Sequence, residues 1–173
     1  FERGLKALVM INKVDRPGAR RSPIMRMLIT ERAQQHPNEA LAALRRELPS
    51  LTRALLVRAL GETRQWQALE PLRLALCHSD GAVRAAAAEG LGELGFDAAA
   101  ASLARATRDP DWRVRLKASE AIGKLGLQQC TEQVAVLLGD EVWWVRFRAA
   151  EALRRLNPGG AGASGRSEQV HAM

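Results

Sequence analysis

Apolar and small residues recur along this chain in a stripe that repeats every 31 residues. Counting Val83 as position 0, positions 0, 4, 7, 8 and 11 hold Val83, Ala87, Gly90, Leu91 and Leu94. The next copy reads Val114, Ala118, Ala121, Ile122 and Leu125, and the one after it Val145, Ala149, Ala152, Leu153 and Leu156. Steps of three and four put these residues on one side of a helix, with charged residues opposite. One period earlier the stripe is Thr52, Leu56, Ala59, Leu60 and Thr63, with Arg53 in the place of Arg84. Two periods earlier it is Arg21, Met25, Leu28, Ile29 and Arg32, polar at both ends. Such drift suits the end of a stacked array, whose outer face meets solvent instead of a neighbour.

A second helix follows each first one, over about 38–48, 66–77, 97–107 and 128–138, with Leu41, Leu72, Leu103 and Val134 in phase. The last first-helix, about 142–156, has no such companion before Asn157-Pro158-Gly159-Gly160. Either a partner covers that flank, or its own polar face, with Arg148, Arg154 and Arg155, acts as a cap. Gly95 and Gly126 fall just past first helices, where a left-handed C-cap wants glycine. Asp80, Asp97, Asp109 and Asp140 stand at or near helix starts, where a carboxylate caps exposed N–H groups. Gly61, Gly92 and Gly123 recur inside the last turns of first helices, where glycine costs about 1 kcal/mol against alanine. A costly choice made three times points to close helix–helix approach.

The phrase Val-Arg-x-x-Ala-Ala-Glu-Ala-Leu-Gly, carried by Val83–Gly95, Val114–Gly126 and Val145–Leu156, resembles the short HEAT repeats of the phycobilisome-lyase type. The resemblance covers about residues 22–157. It implies an all-α fold: a right-handed α-solenoid of antiparallel helix pairs with a concave face for partners. It leaves function open, because that superfamily holds scaffolds, lyases, hydroxylases and DNA-repair proteins alike.

Residues 1–21 stand outside the repeat as a basic leader, foreign to the array or disordered. There, Leu8-Val9-Met10-Ile11 runs into Asn12, Lys13 and Asp15 of an NKxD element. With Phe1–Lys6 and Arg16–Arg20, this segment resembles the guanine-reading part of TypA/BipA translation GTPases. In that element the aspartate accepts from the base while Asn and Lys hold the ring. No GxxxxGK[ST] phosphate loop occurs anywhere in the chain, so the rest of a GTP site is missing. Three accounts stand: an inert join from another gene, chance, and a working nucleotide site. Residues 158–173 are rich in Gly, Ala and Ser and are expected to be a disordered tail.

Charge changes the picture less than the net of +7 suggests. Residues 1–21 carry six Lys/Arg against two acidic residues, and the middle of the array, 81–142, is slightly acidic. A groove that tracks a phosphate backbone wants its cations along the whole path. The low aromatic content of 4%, with no tyrosine, and the abundance of Ala and Leu favour close-packed helices over sheets. Cys77 and Cys130 share no repeat phase and read as small buried residues. No apolar run reaches the ~20 residues that span a bilayer, and a cytoplasmic location is expected.

Candidate chemistry is sparse. His36, His78 and His171 are out of phase, and the repeated His-Glu pairs with which HEAT-like hydroxylases hold iron are missing. Neither a metal site, nor a cofactor, nor a catalytic residue is expected. Arg84, Arg115 and Arg146 share one phase, and Glu89, Glu120 and Glu151 another. They read as a structural ladder, the arginines reaching loop carbonyls or aspartates such as Asp109 and Asp140. Trp66, Phe96 and Phe147 read as ordinary core or turn packing. The candidate partner-binding residues are Trp112, Arg113, Trp143, Trp144 and Arg148, because tryptophan and arginine together make interface hot spots and stacking platforms. The sequence thus points to a non-catalytic protein–protein interaction scaffold whose partner is another protein. Two alternatives remain: a nucleic-acid-binding module, and a lyase or chaperone-like subunit acting on a cofactor-bearing protein.

Overall fold

The structure, a computed structural model, describes residue 31, residues 33–44 and residues 50–157. All regular structure in these residues is helical. The helices are α1 (Pro37–Leu44), α2 (Ser50–Glu62), α3 (Leu69–Ala75), α4 (Gly81–Leu94), α5 (Ala100–Ala106), α6 (Trp112–Leu125), α7 (Thr131–Val136) and α8 (Trp143–Leu156). Short 3-10 turns, Trp66–Ala68, Asp97–Ala99 and Gln128–Cys130, lead into α3, α5 and α7, and a fourth, Leu137–Gly139, closes α7. The long helices begin at residues 50, 81, 112 and 143, each 31 after the last. They stack in order, α2 on α4 on α6 on α8, while α3, α5 and α7 form a second layer against α4, α6 and α8. The basic leader, most of the earliest first-helix and the tail lie outside the described residues.

Local sequence sets the helix limits. Asp80 accepts from the Ala82 N–H at 2.8 Å and Asp111 from the Arg113 N–H at 2.9 Å, so α4 and α6 start on side-chain caps. Both end on glycine in the left-handed region, Gly95 at φ 87° and Gly126 at φ 66°. Asp109 and Asp140 do not cap helix starts as the sequence suggested. Each accepts from a turn N–H two residues on, at Asp111 and Val142, bracing the turn before the helix. Asp97 makes no side-chain cap at its 3-10 turn. At the start of α8 the capping position is Val142, which has no side-chain acceptor to offer.

The in-phase residues form the core. Val83, Val114 and Val145 are fully buried, as are Leu72, Leu103 and Val134 from the second layer. Leu60, Leu91 and Ile122 are also fully buried, whereas Leu153 at the same phase in α8 is only partly so. The stacking is close enough to exclude a methyl group. A Cβ at Gly61 would strike the main chain of Gly90, one at Gly92 would lie 2.8 Å from the Ala121 Cβ, and one at Gly123 would lie 2.7 Å from the Ala152 Cα. Glycine recurs here because the next helix occupies the space.

Candidate functional site

The fourth copy of that glycine is Arg154. On α6, Trp112, Leu116, Ser119 and Gly123 lie along the side that receives α8, and Ser119 and Gly123 are buried there. The same stripe on α8 is Trp143, Phe147, Ala150 and Arg154, and all four are exposed. With arginine in place of glycine, this position lacks the bare backbone on which the preceding three interfaces make their close approach. Among the described residues, α8 is the last helix of the stack.

Three aromatic rings occupy one end of that face. Trp143 meets Trp144 edge to face, with centroids 4.6 Å apart, and stacks on Phe147 at 5.4 Å and 17° between planes. The rings remain 52%, 55% and 43% exposed for Trp143, Trp144 and Phe147, a contiguous apolar surface open to solvent. Val136 and Leu138 are also exposed, on the helix and turn that pack against α8. Arg148 sets its guanidinium carbon 5.8 Å from the Phe147 centroid while donating to Glu151 at 2.7 Å. That carboxylate is the leading cause of the raised Arg148 pKa. Phe147, read from sequence as ordinary packing, thus belongs to the exposed cluster. Trp66 is likewise 60% exposed, its ring edge against Phe96 at 5.2 Å.

The remaining sequence candidates separate from this cluster. Trp112 is 40% exposed one repeat earlier and makes no ring contact with the Trp143 cluster. Arg113 folds back on Asp111 at 2.6 Å, which ties its charge to the cap of its own helix. Asn12, Lys13 and Asp15 lie outside the described residues.

The phased arginines bind the units to one another. Arg84 donates its Nη1 to the carbonyls of His78 and Ser79 and its Nε and Nη2 to both oxygens of Asp109 at 2.8 Å. Arg115 repeats this with the carbonyls of Asp109 and Pro110 and with both oxygens of Asp140, at 2.7 and 3.0 Å. These side chains are largely buried, and each pairing raises the arginine pKa; Arg115 also holds the Asp140 carboxyl below its ordinary range. The phased glutamates run along another side. Glu89 takes Arg58 at 2.6 Å and Lys117 at 3.3 Å, Lys117 also reaches Glu120 at 3.2 Å, and Glu151 takes Arg148 and Arg155 at 2.7 Å each. Cations and carboxylates thus neutralise one another along the array. Among the described residues, no group of three His, Cys, Asp or Glu side chains gathers to hold a metal ion, and no helix is long and apolar enough to cross a membrane.

Stacked helix pairs joined by an arginine–aspartate ladder define a helical-repeat protein. A family model for HEAT repeats matches residues 37–116 and 103–164, and the chain belongs to that family. Among solved structures it is similar to the complex of CpcE and CpcF of phycocyanin lyase from Nostoc sp. PCC7120. The identity is 21% and the TM-score 0.65, over 88% of this chain and 65% of that one, so the likeness is one of fold and this chain spans about two thirds of the other's length. No curated protein matches the chain.

Proposed function

We propose that the array is a non-catalytic docking platform for another protein, and that the outer face of α8 is the docking surface. The carrying observation is the exposed Trp143–Trp144–Phe147 cluster on a helix face that its neighbours bury and that carries Arg154 in the glycine's place. Aromatic anchors flanked by arginines are what interface hot spots are made of. Trp143, Trp144 and Arg148 belong to this surface, and Trp112 and Arg113, one repeat earlier, stand apart from it. A cytoplasmic setting suits the free, exposed thiol of Cys77. The test compares proteins captured from the source cells by the wild type, by the Trp143→Ala/Trp144→Ala variant and by Leu74→Ala. Leu74 is a 71% exposed residue of α3 that serves as control. A partner held by wild type and Leu74→Ala and lost from the tryptophan variant supports the reading. Equal capture by all three removes it.

Nucleic-acid binding is disfavoured by the ladder, since Arg84, Arg115, Lys117, Lys124 and Arg148 are all engaged by carboxylates. A second reading, a subunit acting on a cofactor-bearing protein, draws on the fold shared with phycocyanin-lyase chains. Its test is co-purification of a chromophore-bearing partner.

A further inference from the structure

Each arginine of the ladder uses its guanidinium in the same way, except the last. Nη1 of Arg84, of Arg115 and of Arg146 donates to two carbonyls of the turn before its own helix; for Arg146 these are Asp140 at 2.7 Å and Glu141 at 3.1 Å. Nε and Nη2 of Arg84 and Arg115 then close on both oxygens of one aspartate. Nε and Nη2 of Arg146 make no hydrogen bond among the described residues. The carboxylate stands 25 residues after its arginine in both closed rungs, and 25 residues after Arg146 the chain has His171, outside the described residues. The wrist of the rung is built, and among the described residues no carboxylate closes it.

The direction of approach follows from the closed rungs. Asp109 and Asp140 belong to the turn that leads into the next stacked helix, so each reaches its arginine from the side that the following unit occupies. On α8 that side is the exposed face bearing Trp143, Phe147 and Arg154. Whatever covers the aromatic cluster also lies over the open edge of Arg146. The local charge agrees, with Arg146, Arg148, Arg154 and Arg155 against the single acid Glu151 in α8.

We propose that Arg146 is a carboxylate receptor, and that the protein docked on α8 supplies an aspartate or glutamate beside an apolar side chain. The acid completes between two chains the rung that Asp109 and Asp140 complete within this one. The apolar side chain sits on the Trp143–Phe147 stack. This deepens the docking reading and rests on it. A paired fork with two parallel N–H donors suits a carboxylate, and hydrogen bonds to charged groups contribute about 1.5–3 kcal/mol. Removing the carboxylate from a bound segment therefore predicts a roughly 10- to 100-fold loss of affinity.

The experiment selects peptides from a random display library on the full chain and retains those whose binding depends on Trp143 and Trp144. The expected result is one fixed Asp/Glu position among them, with the stated loss on changing that acid to its amide. In Arg146→Gln the amide change should then have no further effect, the signature of a direct pair in a double-mutant cycle. Arg146→Lys keeps the charge without the fork and should fall between the two, with circular-dichroism melts showing both variants folded. Tryptophan-dependent peptides with no acid preference, or a preference that Arg146→Gln leaves intact, overturn the receptor while sparing the docking face. Absence of any tryptophan-dependent peptide overturns both. Arg146-dependent self-association, or Arg146-dependent capture of a single-stranded oligonucleotide instead of acidic peptides, overturns the proposal in favour of a second copy or a phosphate backbone.

Discussion

Replacing Gly92 by alanine separates the two forces acting at the helix-stacking interface. In an isolated helix the change stabilises by about 1 kcal/mol, because glycine has more backbone entropy to lose. Here the added Cβ would lie 2.8 Å from the Ala121 Cβ and 3.1 Å from the Ala121 Cα, well inside ordinary contact. Neither atom sits on a flexible side chain, so α4 and α6 must part. Overpacking of a close-packed interface costs about 1–3 kcal/mol. The net expectation is a loss of roughly 1 kcal/mol, against a gain of about the same size if the helices were free to yield. For a chain of this length 1 kcal/mol moves the melting temperature by about 2–4 °C. Gly61→Ala meets main chain at Gly90 and should cost more than Gly92→Ala. Gly139→Ala is the control, since a Cβ there meets nothing within 4 Å and its φ is ordinary. It should be neutral or gain a few tenths of a kcal/mol. Urea melts followed by circular dichroism read all three. A Gly92→Ala protein as stable as wild type, or more so, would refute the close-approach account of the repeated glycine.

Asp140→Asn leaves the largely buried Arg115 fork without its carboxylate and should cost about 2–3 kcal/mol near neutral pH. The Asp140 carboxyl is held below its ordinary range, chiefly by hydrogen bonds from Arg115. Its contribution is therefore present above the unfolded carboxylate pKa of about 4 and is lost as pH falls through the lower folded value. The stability gap between wild type and Asp140→Asn should narrow as melts are taken from pH 6 downwards, and a gap that stays constant contradicts this. Cys77 is exposed and Cys130 buried, with burial pushing the Cys130 thiol up, so a thiol reagent should label one cysteine at once and the second only on unfolding. Leu91→Ala opens a cavity at a fully buried position between layers and should cost 2–5 kcal/mol by urea melt.

The array was legible in the sequence because its signals repeat. A stripe of Val83, Leu91 and their copies, the glycine stops at Gly95 and Gly126, and the glycines inside three of the four long helices are each weak alone, and they reinforce one another at one spacing. The inter-unit ladder is legible for the same reason: the common phase of Arg84 and Arg115, and the aspartates Asp109 and Asp140 in adjacent units, mark them as partners. What the period hid lay at its end. Arg154 looks like one more surface arginine until Gly123 is seen against Ala152, which gives that position its meaning. Phe147 follows the phase of Leu116, so periodicity files it with packed residues, and only the missing neighbour leaves it exposed. The open edge of Arg146 was equally invisible, because phase alone makes it identical to Arg84 and Arg115.

The claim that α8 presents the docking face is met most directly by photo-cross-linking in the source cells from position 147. A photoreactive phenylalanine analogue fits there in place of Phe147, and the same analogue at Leu74 reports the opposite case. The account predicts one discrete cross-linked protein from position 147, lost when Trp143 and Trp144 are alanine, and none from position 74. Cross-linking that is as strong from position 74, or that survives the tryptophan changes, would contradict it.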